Sequence, residues 1–223
     1  MDTHRRHASR EIVRLLHAAR VIFWDFDGVI KDSVAAKSDG FEQLFLRYGR
    51  EIAMRVRRHH EANSGVSRYE KIAVYLDWVG ETASKARIQE YCDLFSGLVL
   101  QAVIESPWVP GVREYLQAQY ARQSFVLLTA TPQEEIDHIA RTLEIASCFE
   151  QICGSPAKKA VSMAQALQRL QCLPTDALMV GDAEADLAAA EANTVAFLLR
   201  ATSINRALQE RYTGPTFEDL ADE

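Results

Sequence analysis

The chain has 223 residues, 48% of them hydrophobic, which suits one large domain or a core carrying an insert. Its 25 basic and 31 acidic residues leave a net charge of −6, which argues against a general nucleic-acid binder and leaves any anionic ligand to local cations or a metal. The four cysteines, Cys92, Cys148, Cys153 and Cys172, form no C-x-x-C pair and read as free thiols in a reducing compartment, and no apolar run approaches the roughly 20 residues that span a bilayer.

The first periodic segment is a helix over 9–19, with Ile12, Leu15, Leu16 and Ala19 on one face and Ser9 as its N-cap. Arg10 and Arg14 turn outward. The segment has no apolar signal core. Arg5, Arg6, Arg10, Arg14 and Arg20 leave an organellar transit peptide as the alternative to a cytoplasmic location, which is the default expectation.

Next comes Val21-Ile22-Phe23-Trp24-Asp25-Phe26-Asp27-Gly28, an apolar run that meets two carboxylates. The run predicts a buried strand. The carboxylates belong at its C-terminal end, where an open α/β sheet holds ligands. Two residues apart, they would share one side of an extended chain. Gly28 permits a sharp turn or the close approach of a ligand.

Asp32-Ser33 is positioned to cap a helix with Phe41, Leu44, Phe45 and Tyr48 on its apolar face, stopped by Gly49. The pattern stays helical to about residue 105. Ile52, Val56, Ile72, Tyr75, Leu76, Ile88, Tyr91, Leu94, Phe95 and Leu98 supply the apolar faces, and Asn63-Ser64-Gly65 marks a loop. Residues 33–105 therefore form an all-helical insert, far longer than an ordinary loop.

After Pro107 and Pro110-Gly111 the pattern alternates. Helices are expected near 111–122, 132–145, 157–171 and 184–192. Strands are expected at Phe125–Leu128, Glu150–Cys153, Ala177–Val180 and Val195–Leu199, with Phe217 and Leu220 anchoring a short tail helix. Strands alternating with helices imply parallel pairing through right-handed crossovers, hence an α/β fold with a doubly wound parallel sheet. The sheet would be built from 1–32 and 106–223, with 33–105 as an inserted all-α cap domain.

Three strands end in polar residues: Asp25 and Asp27, Thr129-Ala130-Thr131, and Gly181-Asp182 with Asp186 four residues on. Gly154-Ser155-Pro156-Ala157-Lys158-Lys159 opens a helix between the last two. In a parallel sheet these ends face one crevice. Clustered carboxylates must be compensated, and an all-oxygen set suits Mg2+ over zinc. A threonine, a lysine and turn amides would bind phosphate oxygens. A carboxylate nucleophile, a metal and a phosphate cradle together point to phosphoryl transfer through an aspartyl phosphate.

With these four motifs in order over about residues 21–200, the chain resembles the haloacid dehalogenase-like (HAD) hydrolase superfamily, whose Rossmann-like core carries a type-one α-helical cap. The resemblance implies that Asp25 attacks phosphorus, while Asp27 protonates the leaving oxygen and then activates water. It implies that Mg2+ is held by the Asp25 carboxylate, the Asp27 backbone carbonyl and Asp182, with Asp186 completing or orienting the shell. Thr129, with Ala130, and a lysine would hold the phosphoryl group. G-S-P-x-x-K spacing favours Lys159, with Lys158 as the alternative.

In the cap, Gly65-Val66-Ser67-Arg68 resembles the specificity loop of β-phosphoglucomutases. Arg68 would there grip a second phosphate or a carboxylate, or else be a solvated helix-entry residue. Lys37, one helical turn after Ser33, is a candidate substrate contact or a solvated lysine. Of His59 and His60 at most one faces inward, and each reads first as a surface or capping residue.

The expected function is a Mg2+-dependent phosphatase for a small phosphomonoester, a sugar phosphate or phosphoglycolate. The alternative is a phosphomutase. Against it, Gly181 stands where the mutases place a Glu, and Asp186 where they lack an acid. Dehalogenases and phosphonatases lack the second acid of the first motif, here Asp27. Phospho-accepting receiver domains order their acids differently and have no helical insert. The expected partner is a small phosphorylated metabolite, with no nucleic acid and no membrane.

Overall fold

Val21–Trp24 form β1, buried on every side because all four residues are apolar. The structure is a computed structural model and describes residues 11–221. Ser9, Arg5, Arg6 and Arg10 lie outside them. Residues 11–18 form α1, which buries Ile12 and Leu16.

β1 is central to a six-stranded sheet of order β3-β2-β1-β4-β5-β6, formed with β2 (Ser124–Pro132), β3 (Gln151–Ser155), β4 (Ala177–Gly181), β5 (Ala196–Arg200) and β6 (Thr216–Phe217). Every pairing is parallel. Successive residues face opposite layers. Ile22, Trp24, Phe125, Leu127, Leu178 and Val180 join one core cluster, whereas Val21, Phe23, Val126, Leu128 and Met179 join the other. The helices α6 (Val112–Gln119), α7 (Gln133–Thr142), α8 (Lys159–Arg169), α9 (Glu184–Ala192) and α10 (Arg206–Arg211) make the crossovers. The chain winds outward in both directions from β1 and β4. Their C-terminal ends flank the crevice where such sheets bind ligands.

Between β1 and α6 lie α2 (Val34–Phe45), α3 (Arg50–Ala62), α4 (Arg68–Trp78) and α5 (Lys85–Glu105). They pack around an aromatic centre. Phe41 stacks on Phe95 with ring centroids 4.0 Å apart, and Tyr75 meets Phe41 and Phe45 edge-on at 5.6 and 5.4 Å. The two strands of chain that enter and leave this block run side by side: Lys31 bridges to Trp108, and the Asp32 amide donates to the Pro107 carbonyl at 2.8 Å. Among the described residues no helix is long and apolar enough to cross a membrane.

Several expectations need correcting. β2 runs past Leu128 to Pro132, with a register shift that carries Thr129–Thr131 over the crevice. The tail forms β6 beside β5, not a helix, and α10 was not expected. Ser33 takes the N-cap position of α2 without a side-chain capping bond, because its hydroxyl is used elsewhere. Leu94 and Leu98 stay exposed on α5.

Candidate active site

Asp25 continues the ladder beyond β1, its amide donating to the Val180 carbonyl at 2.9 Å. The chain then turns. The amides of Ile30 and Lys31 return to the Phe26 carbonyl, and that of Gly28 to Lys31. Gly28 has φ +78°, and a Cβ there would overlap the Asp182 carboxylate. A side chain at position 28 is thus excluded both by conformation and by the acid it would strike. Past the turn the two carboxylates take different partners, while both line one cavity.

Asp25 faces the β4 end. Its Oδ1 accepts from Lys159 Nζ at 2.7 Å, and the same ammonium donates to Asp186 Oδ1 at 2.6 Å. Asp186 Oδ2 accepts from the Ala183 amide at 3.1 Å, which fixes it at the start of α9. Asp25, Asp182 and Asp186 offer carboxylate oxygens all within 4.8 Å of one another. Burial, followed by the charge of Asp186, pushes the Asp25 pKa up to about 7 against the pull of Lys159. Burial, then Asp25 and Asp186, hold Asp182 well above the usual carboxylate range. Burial alone would depress Lys159, but the two carboxylates outweigh it and raise its pKa.

This cluster fits a divalent cation. Ionised together, the three buried carboxylates facing one ammonium would leave two negative charges in excess, the repulsion that raises Asp25 and Asp182. Asp182 Oδ1 is buried with no hydrogen-bond partner, a costly state that a cation would relieve. The donors are all oxygen, as Mg2+ prefers.

Asp27 faces the helical insert. Its Oδ1 accepts from Ser33 Oγ at 2.6 Å. Its Oδ2 pairs closely with Lys37 Nζ and accepts from Thr131 Oγ1 at 3.3 Å, while Lys37 also donates to Thr131 Oγ1 at 2.8 Å. Burial works against ionisation, but Lys37 and Ser33 outweigh it and lower the Asp27 pKa. The Asp27 carboxylate therefore has its own partners and is not one of the three acids that converge.

Asp25, Asp27, Lys37, Thr129 and Ala130 line one cavity. Lys159 lines a neighbouring one that shares Thr129, Ala130 and the loop residues Gly65 and Val66. That loop rests on the core, since a Cβ at Gly65 would lie 3.0 Å from the Cβ of Ala185. Lys158 is exposed at the N-cap of α8, away from the acids, whereas Lys159 reaches them.

Arg68 is not solvated. It is 4% exposed and grips Glu135 of α7 with two bonds of 2.6 and 2.8 Å, donates to Ser96 at 2.6 Å, and lies over Phe95. His60 is likewise buried in the cavity wall, contrary to its reading as a surface residue, while His59 meets Tyr75 Oη at 3.1 Å. Thr131, Ser96, Glu135 and Lys71 were missed. One signal was available: the stripe Ile72, Tyr75, Leu76, continued back one turn, lands on Arg68 and Lys71, two basic residues on a buried face.

Residues 19–193 match the model of a hydrolase family, the haloacid dehalogenase-like hydrolases. No curated protein matches the sequence. Among solved structures, the chain is similar to a haloacid dehalogenase-like family protein from Streptococcus pneumoniae, with 22% identity, TM-score 0.68, and coverage of 90% of this chain and 93% of that one. A predicted phosphoglycolate phosphatase from Haemophilus somnus shares 18% identity at TM-score 0.71, over 92% and 96% of the two chains. A β-phosphoglucomutase from Clostridium difficile shares 16% at 0.72, over 91% and 92%. At such identities the likeness is one of fold.

Proposed function

The chain belongs to the haloacid dehalogenase-like hydrolases, and on that footing we propose that it is a Mg2+-dependent phosphatase acting on a small phosphomonoester, a sugar phosphate or a phosphoglycolate-like ester. The observation that carries this reading is the Asp25 carboxylate. One of its oxygens is held by Lys159, and it stands within 4.8 Å of two further acids, one bearing an unpartnered oxygen.

Asp25, Asp182 and Asp186, with the backbone carbonyl of Asp27, would hold the metal. The bound cation would offset the charge of the phosphoryl oxygens and of the Asp25 carboxylate as they approach. Lys159 fixes the Asp25 carboxylate through Oδ1, and Oδ2 accepts no hydrogen bond among the described residues. Attack by that oxygen forms an Asp25–phosphorus bond as the ester P–O bond breaks. The leaving oxygen takes a proton from Asp27; Lys37 and Ser33 hold that group ionised in the ligand-free protein, so it takes up the proton from water as the anionic ester enters. In the second half, water attacks phosphorus, gives its proton to Asp27, and the Asp25–phosphorus bond breaks to release phosphate. Thr129, the Ala130 backbone and Lys159 would hold the phosphoryl oxygens throughout. The helical cap would exclude water.

The phosphomutase alternative leaned on Arg68 as a phosphate ligand, and that guanidinium is committed to Glu135 and Ser96. The four free, buried cysteines support a reducing compartment, which we take to be the cytoplasm. The test is phosphate release from a panel of phosphomonoesters, including phosphoglycolate and β-glucose 1-phosphate, with Mg2+, with chelator and with Asp25→Asn. Mg2+-dependent release that Asp25→Asn abolishes supports the phosphatase. Glucose 6-phosphate formed from β-glucose 1-phosphate without phosphate release would replace it by the mutase.

A further inference from the structure

The cavity beneath the cap has a wall that the phosphoryl chemistry leaves unused. Lys71 of α4 and His60 of α3 lie there, each 4% exposed. The other buried cations around the crevice have carboxylate partners: Lys37 has Asp27, Arg68 has Glu135, and Lys159 has Asp25 and Asp186. Lys71 makes no ion pair among the described residues. Its ammonium meets His60 Nδ1 at 2.9 Å and donates to the Asn63 carbonyl at 3.2 Å.

In its protonated form, the one an anion would bind, Lys71 has donors only, so His60 Nδ1 accepts. The ring proton then sits on Nε2, and that atom is buried with no partner. With Lys71 protonated, one cavity wall thus carries a cation without a carboxylate partner and an unused N–H donor. Buried charges and buried donors are kept where something pairs with them. Arg68, one turn away on the same face of α4, does not fill this need because Glu135 and Ser96 take its donors.

We propose that Lys71 and His60 form a second anion subsite, and that the substrate is a phosphomonoester whose leaving group carries a carboxylate or a second phosphate. The placement of the phosphoryl end rests on the phosphatase reading. Electrostatics agree with the geometry: burial, then the charge of Lys37, bring the Lys71 pKa down to about 7 in the ligand-free protein. An anion seated at Nζ would remove that penalty.

The test is calorimetric binding of non-hydrolysable probes to the full chain with Mg2+. Methylphosphonate supplies the phosphoryl end alone. Phosphonoacetate and phosphonopropionate add a carboxylate, and ethylenediphosphonate adds a second phosphonate. The wild type should bind at least one anion-bearing probe about tenfold or more tighter than methylphosphonate, as a charge-assisted pair would give, and the tighter probe identifies the anion. Lys71→Met should erase this margin and Lys71→Arg should keep part of it.

Lys71→Met should also melt no lower than the wild type, since it removes an unpaired buried charge with a side chain of similar length. Absence of a margin in the wild type, or its survival in Lys71→Met, overturns the subsite. No turnover enters this measurement. A protein that keeps the margin but releases phosphate from no ester would lose the phosphatase reading and not the subsite.

Discussion

Glu135→Gln takes away the carboxylate that neutralises Arg68 while keeping the side chain's size. The pair joins α4 of the cap to α7 of the core, with both side chains under a tenth exposed. Removing one partner of such a pair leaves an unpaired buried charge and costs about 3–5 kcal/mol. For a chain of this size each kcal/mol moves the melting temperature by about 2–4 °C, so a drop of about 6 °C or more is expected. Thermal unfolding of wild type, Glu135→Gln, and the double variant Arg68→Met/Glu135→Met measures it, and urea unfolding gives the free energies. The double variant should recover most of the loss, because an apolar pair of similar volume replaces the ions.

The pH dependence has a definite sign. Burial raises the Glu135 pKa, but the bonds and charge of Arg68 outweigh it and bring it below its ordinary 4.5. The pair's contribution is therefore full above that value and is lost as pH falls through the folded-state value. The gap between wild type and Glu135→Gln should be complete at neutral pH and close on acidification below 4.5. A gap under about 1 kcal/mol at neutral pH, or one that widens in acid, would refute the reasoning.

Other substitutions probe the crevice. Gly28→Ala forces a left-handed backbone on an alanine and presses its Cβ on Asp182; a loss of at least about 1 kcal/mol in unfolding free energy is expected, with weakened Mg2+ binding by calorimetry. Mg2+ at about 100-fold above its dissociation constant should stabilise the wild type by about 2.7 kcal/mol, seen as a rise of about 5–10 °C in melting temperature. Asp182→Asn should lose most of that rise, and an undiminished rise would place the metal elsewhere. Lys159→Met should lower kcat by about two to three orders of magnitude, and a change in KM alone would demote Lys159 to a ground-state contact.

The sequence made the strand ends readable because the acids follow apolar runs that have no alternative to burial. β4 and α9 begin where the pattern put them, and Asp25, Asp182 and Asp186 converge because β1 and β4 pair directly. Thr131 was missed because β2 continues through a polar stretch and an irregular register, which periodicity does not reveal. Arg68, Lys71 and His60 were harder to assign. Their roles depend on how the cap docks, and no local pattern announces that Glu135, 67 residues away, takes Arg68 while no carboxylate among the described residues takes Lys71. The tail strand β6, only two residues long, carries too little pattern to be told from a helix.

The central claim is that Asp25 carries the phosphoryl group. The most direct measurement is borohydride trapping during turnover with Mg2+, which reduces an aspartyl phosphate to homoserine, followed by peptide mass spectrometry. Homoserine is expected at position 25, absent without substrate and absent in Asp25→Asn. Steady phosphate release with an unmodified Asp25, or with trapping at another acid, would contradict it.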